Sequence, residues 1–161
     1  MRFIVAAWVS GIAVATPAAL PAQSVPNLTG TWVMQLDQSD FGMVPGPLSR
    51  TDVIDHQEPK LTIKRSTTSA QGETNSTLIY VVDGKPYKNM VASNEITSTL
   101  RWDGATLVSV STTSTGQGEV TITDRFTLSA DGQTLTQARS FSIGGQELGQ
   151  TIALAKKPPP P

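Results

Sequence analysis

The stretch Asn27-Leu28-Thr29-Gly30-Thr31-Trp32 puts a Gly-x-Trp at the head of a long series of short alternating segments. From there onward turn signals recur at close, even intervals: Asp83-Gly84, Asp103-Gly104, Gly116-Gln117-Gly118, Asp131-Gly132 and Gly144-Gly145. Between them apolar and polar residues alternate with the period of two that marks half-buried strands. About ten strands are expected, over 29–37, 50–57, 59–67, 73–82, 86–92, 94–102, 105–114, 118–128, 133–142 and 146–155. No helical period occurs in this part of the chain.

Nearly every connection reads as a tight hairpin, so chain neighbours should be antiparallel sheet neighbours. A meander this long must hide its two edges. Closure does that completely, which favours an up-and-down barrel over a sandwich. The sequence thus predicts an all-β, antiparallel up-and-down barrel. One long connection, Ser39 to Leu48, contains Gly42, Pro45, Gly46 and Pro47 together with Phe41, Met43, Val44 and Leu48. It is too broken for a helix and too apolar for a free loop. It reads either as a flap over one barrel mouth or as a plug that seals the core end.

Ahead of the barrel, Arg2 precedes an apolar run from Phe3 to Ala15, followed by Leu20-Pro21-Ala22. This is the pattern of a secretory signal peptide cleaved after Ala22. The run is shorter than the ~20 apolar residues of a membrane-spanning helix. Residues 1–22 are therefore expected to be the signal, 23–155 the barrel, and 156–161 (Lys-Lys followed by four prolines) a disordered tail outside the sheet. The expected location is secreted or periplasmic.

With no cysteine in the chain, an exported protein must fold on its core alone, and thiolate chemistry is excluded. Charge is nearly balanced, 12 Lys plus Arg against 13 Asp plus Glu, with no basic block, which argues against nucleic acid and anionic membrane surfaces. Aromatic residues make up only 6%, too few for the girdles of an outer-membrane barrel.

Gly30-x-Trp32 on a first strand resembles the start motif of lipocalins. The resemblance implies that Trp32 closes the barrel floor and that an Arg from a late strand packs across it. Arg139, in Thr136-Gln137-Ala138-Arg139-Ser140-Phe141, is the basic residue placed for that role. The chain is also similar to small secreted lipocalin-like, calycin-type barrel proteins of bacteria. That likeness rests on Leu28 to Trp32, Ser39-Asp40-Phe41-Gly42, His56 with Pro59-x-Leu61, and Leu100-Arg101-Trp102-Asp103-Gly104. Thr123-Asp124 departs from the lipocalin pattern by lying within a strand, and the C-terminal helix and disulfide of typical lipocalins are missing. The strand count is nearer that of fatty-acid-binding proteins, with the Pro/Gly segment in place of their helical lid.

Hairpin geometry gives an inward face. The Gly144-Gly145 turn sets Phe141 against Leu148, Arg139 against Gln150, Gln137 against Ile152 and Leu135 against Leu154. The Ser129–Gly132 loop is expected to set Leu135 against Phe126, Gln137 against Asp124 and Arg139 against Ile122. The apolar set on this face carries Asp124, Gln137, Arg139 and Gln150 inside with it. Arg139 can reach Asp124 diagonally. The pair reads either as a structural brace beside Trp32 or as a head-group site where Arg139 receives a ligand carboxylate, with Phe126 and Phe141 lining the apolar part. The Asp103-Gly104 turn is expected to pair Leu100 with Leu107 and Ser98 with Ser109, placing small hydroxyls inside and leaving room.

His56 is the only histidine, and with no Cys near it a metal or catalytic role is disfavoured against a solvated or capping one. Trp102 reads as core. No serine sits on a nucleophile elbow. The chain is therefore expected to be a non-enzymatic, monomeric barrel without cofactor or metal that binds a small hydrophobic or amphipathic molecule. The alternative is a filled-core barrel serving as a structural or protein-interaction module.

Overall fold

Alternating burial runs through ten strands in the computed structural model, which describes residues 25–158 apart from 117, 144 and 145. The expected signal peptide, residues 1–22, lies outside the described residues. The strands are β1 (Gly30–Asp40), β2 (Ser49–Gln57), β3 (Lys60–Ser69), β4 (Gly72–Val81), β5 (Pro86–Val91), β6 (Asn94–Asp103), β7 (Thr106–Thr115), β8 (Gly118–Leu128), β9 (Thr134–Ile143) and β10 (Gln146–Lys156). Among the described residues there is no helix. In β2 the period is plain: Arg50, Asp52, Ile54 and His56 are buried while Val53, Asp55 and Gln57 are exposed.

All ten strands form one antiparallel sheet in the order β4-β3-β2-β1-β10-β9-β8-β7-β6-β5. Since β1 pairs with both β2 and β10, the meander curls into the expected barrel. Closure is nearly complete. The two free edges, β4 and β5, lie side by side without a backbone ladder. Asn89 of β5 bridges them with its side chain: Oδ1 accepts from Ile79 N at 2.8 Å and Nδ2 donates to Ile79 O at 3.1 Å. The primary amide thus imitates one rung of backbone pairing.

One end, the floor, is tightly filled. Leu28, Leu61, Leu135 and Leu154 are almost fully buried around Trp32, and each such side chain contributes about 1.5–3 kcal/mol. Trp32 Nε1 donates to Leu28 O at 2.9 Å. The reason for Gly-x-Trp is visible here. Gly30 has φ +152, and a Cβ on it would stand 2.7 Å from Lys156 Cε. The missing side chain lets the Lys156 stem cross Gly30 and bring Nζ to 5.3 Å from the Trp32 ring centroid.

Several expectations are corrected. The cation over Trp32 is Lys156, not Arg139, because Lys156 is the direct register partner of Trp32. Lys156 accordingly belongs to the sheet rather than the tail, and Lys157 N still donates to Thr31 O at 2.8 Å. Strand β1 runs on to Asp40 past a bulge after Gln35, where Ser39 Oγ takes the hydrogen bond from Ala153 N. Two hairpins slip by two residues, which preserves the inward face. Trp102 rather than Leu100 faces Leu107, since the turn after β6 holds only Gly104 and Ala105. On β8–β9 the closing bond Ser129 N to Thr134 O lengthens the loop, so Leu128 faces Leu135 and Arg139 lies directly opposite Asp124. The β9–β10 register is as expected. Val108 points outward yet is buried, flanked in register by Arg101 and Arg125.

Candidate functional site

Halfway along the axis the inward positions change from apolar to charged. On β3 the inward series reads Leu61, Ile63, Arg65, Thr67; on β9 it reads Leu135, Gln137, Arg139, Phe141. The sheet brings two opposed pairs to this level, Asp52 facing Arg65 across β2–β3 and Asp124 facing Arg139 across β8–β9. Each is a two-point contact. Arg65 Nε and Nη2 donate to the Asp52 carboxylate at 2.8 and 2.9 Å, and Arg139 Nε and Nη2 donate to Asp124 at the same two distances.

Arg50 joins the two pairs. Its Nε donates to Asp52 Oδ1 at 3.0 Å, and its Nη1 donates to Gln137 Oε1 at 2.6 Å. Gln137 Nε2 then donates to Asp124 Oδ1 at 2.7 Å. The result is a continuous belt, Arg65–Asp52–Arg50–Gln137–Asp124–Arg139, running across the barrel wall. Buried charges require such pairing, because an unpaired one costs several kcal/mol or more.

Burial works against ionisation throughout the belt, and the partners decide the outcome. At Asp52 the desolvation is overcome by Arg65 and Arg50, which hold the carboxyl far below its usual range. At Asp124 it is overcome by Arg139, with Gln137 assisting, so this carboxyl is also depressed. Arg65 is raised because Asp52 outweighs burial. Arg50 is lowered to about 10 by burial and then by neighbouring Arg65, and stays cationic at neutral pH. Three guanidiniums therefore stand against two carboxylates, and the belt carries one net positive charge.

Space adjoins this charge on both sides. Below, toward the floor, a cavity of about 170 Å³ is lined by Ile54, Leu61, Leu78, Leu100, Leu107 and Phe126 among others. Above lies a mouth chamber of about 780 Å³, bordered by Val44, Pro45, Gly46 and Pro47 of the long connection. Arg65 and Arg139 border both. Their Nη1 atoms take no part in the belt's bonds. Phe41 folds back under its own connection, where a Cβ on Gly46 would strike the Phe41 ring at 2.3 Å.

The sequence-derived site residues divide accordingly. Asp124, Gln137 and Arg139 come together as expected. Phe126 lines the lower cavity, whereas Phe141 lines the upper one. Gln150 stays out of the belt; its Nε2 donates to Phe41 O at 3.3 Å and anchors the long connection. Gly30 and Trp32 serve the floor. His56 is buried rather than solvated: Nδ1 accepts from Leu28 N at 3.2 Å, so Nε2 carries the proton and donates to Glu58 at 2.8 Å. Trp102 Nε1 donates to the same Glu58 oxygen at 2.6 Å. Among the described residues no group of three or more His, Asp or Glu side chains is placed to hold a metal ion.

Arg50, Asp52 and Arg65 were missed as site residues. The signal was present: Ile54, Leu61 and Ile63 mark the inward face of the β2–β3 hairpin, and alternation places all three charged residues on that face. Tyr80 and the serines complete the wall opposite. Ser98 Oγ lies 2.8 Å from Ser111 Oγ, and burial pushes the Tyr80 phenol above its ordinary value.

No family model matches the chain, and no curated protein matches it. Solved structures do. The fluorescent protein UnaG superposes with a TM-score of 0.59 at 15% identity, over 80% of this chain and 96% of its own. Zebrafish ileal bile acid-binding protein complexed with cholic acid superposes with a TM-score of 0.58 at 13% identity, over 81% of this chain and 98% of its own. The fold is that of the fatty-acid-binding-protein and lipocalin-like barrels.

Proposed function

We propose that the protein is an exported carrier that holds a small amphipathic anion inside its barrel, with the acidic group received between Arg65 and Arg139. The observation that carries this reading is the unbalanced charge of the belt. A surplus guanidinium in a low-dielectric interior is stabilised by an anion, and two arginines whose Nη1 groups lie outside the belt's bonds border the space where one fits. An apolar cavity with a few convergent polar groups is the usual make-up of a ligand site. That a barrel of similar fold, the zebrafish ileal bile acid-binding protein, is complexed with cholic acid supports the reading. A carrier rather than an enzyme is favoured because both His56 ring nitrogens are occupied at the floor, by Leu28 and Glu58, and among the described residues no side-chain hydroxyl is hydrogen-bonded to either. Export rests on the sequence of residues 1–22.

Calorimetric titration with decanoic acid and with its methyl ester tests the reading. The acid should bind at least about tenfold more tightly, the scale of one charge-assisted hydrogen-bonded contact. Equal affinities, or no saturable binding of either, would remove the anion site.

A further inference from the structure

Amphiphile sites commonly run from a charged end to an apolar end. This barrel has a third zone. Below the belt the chamber is small, closed by the floor and mainly apolar, with Tyr80, Ser109 and Ser111 in its wall. Above it the mouth chamber is wider and two-faced. One wall presents Val120, Phe141 and Ile152 from β8, β9 and β10; the wall from β3 and β4 presents Thr67, Thr74 and Ser76. These three hydroxyls make no hydrogen bond among the described residues. On the outer face of the same two strands, Ser66 Oγ and Asn75 Nδ2 both donate to Glu73. The inner side of the mouth thus presents three hydroxyls across the chamber from an aromatic ring.

We infer that the ligand is a short-tailed amphiphile whose anion lies in its middle. Its apolar tail points down to the floor, its negative group sits at Arg65 and Arg139, and a polyhydroxylated head, such as a sugar, fills the mouth. A sugar ring has an apolar C–H face for Phe141 and hydroxyls for Thr67, Thr74 and Ser76. A phosphodiester between tail and sugar supplies the single charge that the belt lacks. The inference rests on the anion-binding reading and adds direction and a third chemical part to it.

The test uses three probes of equal charge on the full-length mature protein, read by calorimetry: an octyl glucosyl phosphodiester, an octyl methyl phosphodiester and a hexadecyl methyl phosphodiester. With the head in the mouth, the glucosyl probe should bind at least about tenfold more tightly than its methyl counterpart, as two or so new hydrogen bonds would give. The Thr67→Val/Thr74→Val variant should erase that difference and leave the octyl methyl probe unchanged. With the tail in the blind lower chamber, the hexadecyl probe should bind more weakly than the octyl one. A tail running out through the mouth would instead gain roughly fourfold in affinity for each added methylene buried. Equal binding of the glucosyl and methyl probes, or steady gain with tail length, overturns the inference while decanoate still binding better than its ester keeps the anion site. Failure of all anions to bind overturns both.

Discussion

The two walls of the belt use one device with different strengths. On β2–β3, Asp52 is held by two arginines; on β8–β9, Asp124 is held by one arginine and a neutral glutamine. Both carboxylates receive a two-point guanidinium contact, yet only Asp52 would keep a cation if that contact were lost. The β2–β3 wall therefore contains redundancy and the surplus charge, whereas the β8–β9 wall depends on Arg139. An anion entering the interior could draw a cation from the redundant side without leaving a bare carboxylate.

The sharpest way to break this comparison is to remove the matched arginines. Arg139→Leu leaves Asp124 without a cation and should cost about 3–5 kcal/mol, the penalty for breaking a buried pair. Arg65→Leu leaves Asp52 with Arg50 and should cost about 1–3 kcal/mol, nearer the loss of a charged hydrogen bond. Equal shifts in denaturant midpoint would show that Arg50 does not compensate.

Acid sharpens it next. Both carboxyls are depressed in the fold, so their stabilisation is fully present above the unfolded value of about 4 and is lost as pH falls below it toward the folded values. The denaturant midpoint of the native chain should drop below about pH 4, and Asp124→Asn should flatten that drop. An acid limb unchanged by the substitution would place the titrating groups elsewhere.

The smallest effect is expected where the walls meet. Gln137→Leu removes the bridge between Arg50 and Asp124 while leaving both ion pairs, and should cost about 1–2 kcal/mol. A loss as large as that of Arg139→Leu would mean that the belt acts as one unit rather than as two walls.

How much of this could be read from the chain follows the same division. Regular Asp-Gly and Gly-Gly turns delimit the strands, and alternation assigns each side chain to a face, so the barrel and the inward position of Asp124, Gln137 and Arg139 were legible. Register was less so, because a turn can close with two more or fewer residues and keep every face intact. That tolerance moved Arg139 from a diagonal to a direct partner of Asp124. Arg50 and Arg65 escaped notice because charges in a polar, Thr-rich hairpin look solvated unless Ile54 and Ile63 are used to orient it. The replacement of Arg139 by Lys156 over Trp32 was not legible at all, since Lys156 stands at the edge of a proline run that reads as tail.

Asn89 closes the seam between β4 and β5 with a single amide. Elsewhere neighbouring strands are joined by a backbone ladder, but here two strand edges meet without one. Left open, such edges are templates for pairing with another chain. By holding Ile79 in a rung of its own, Asn89 keeps the two edges turned toward each other, and so one side chain denies a second chain its template as well as closing the barrel.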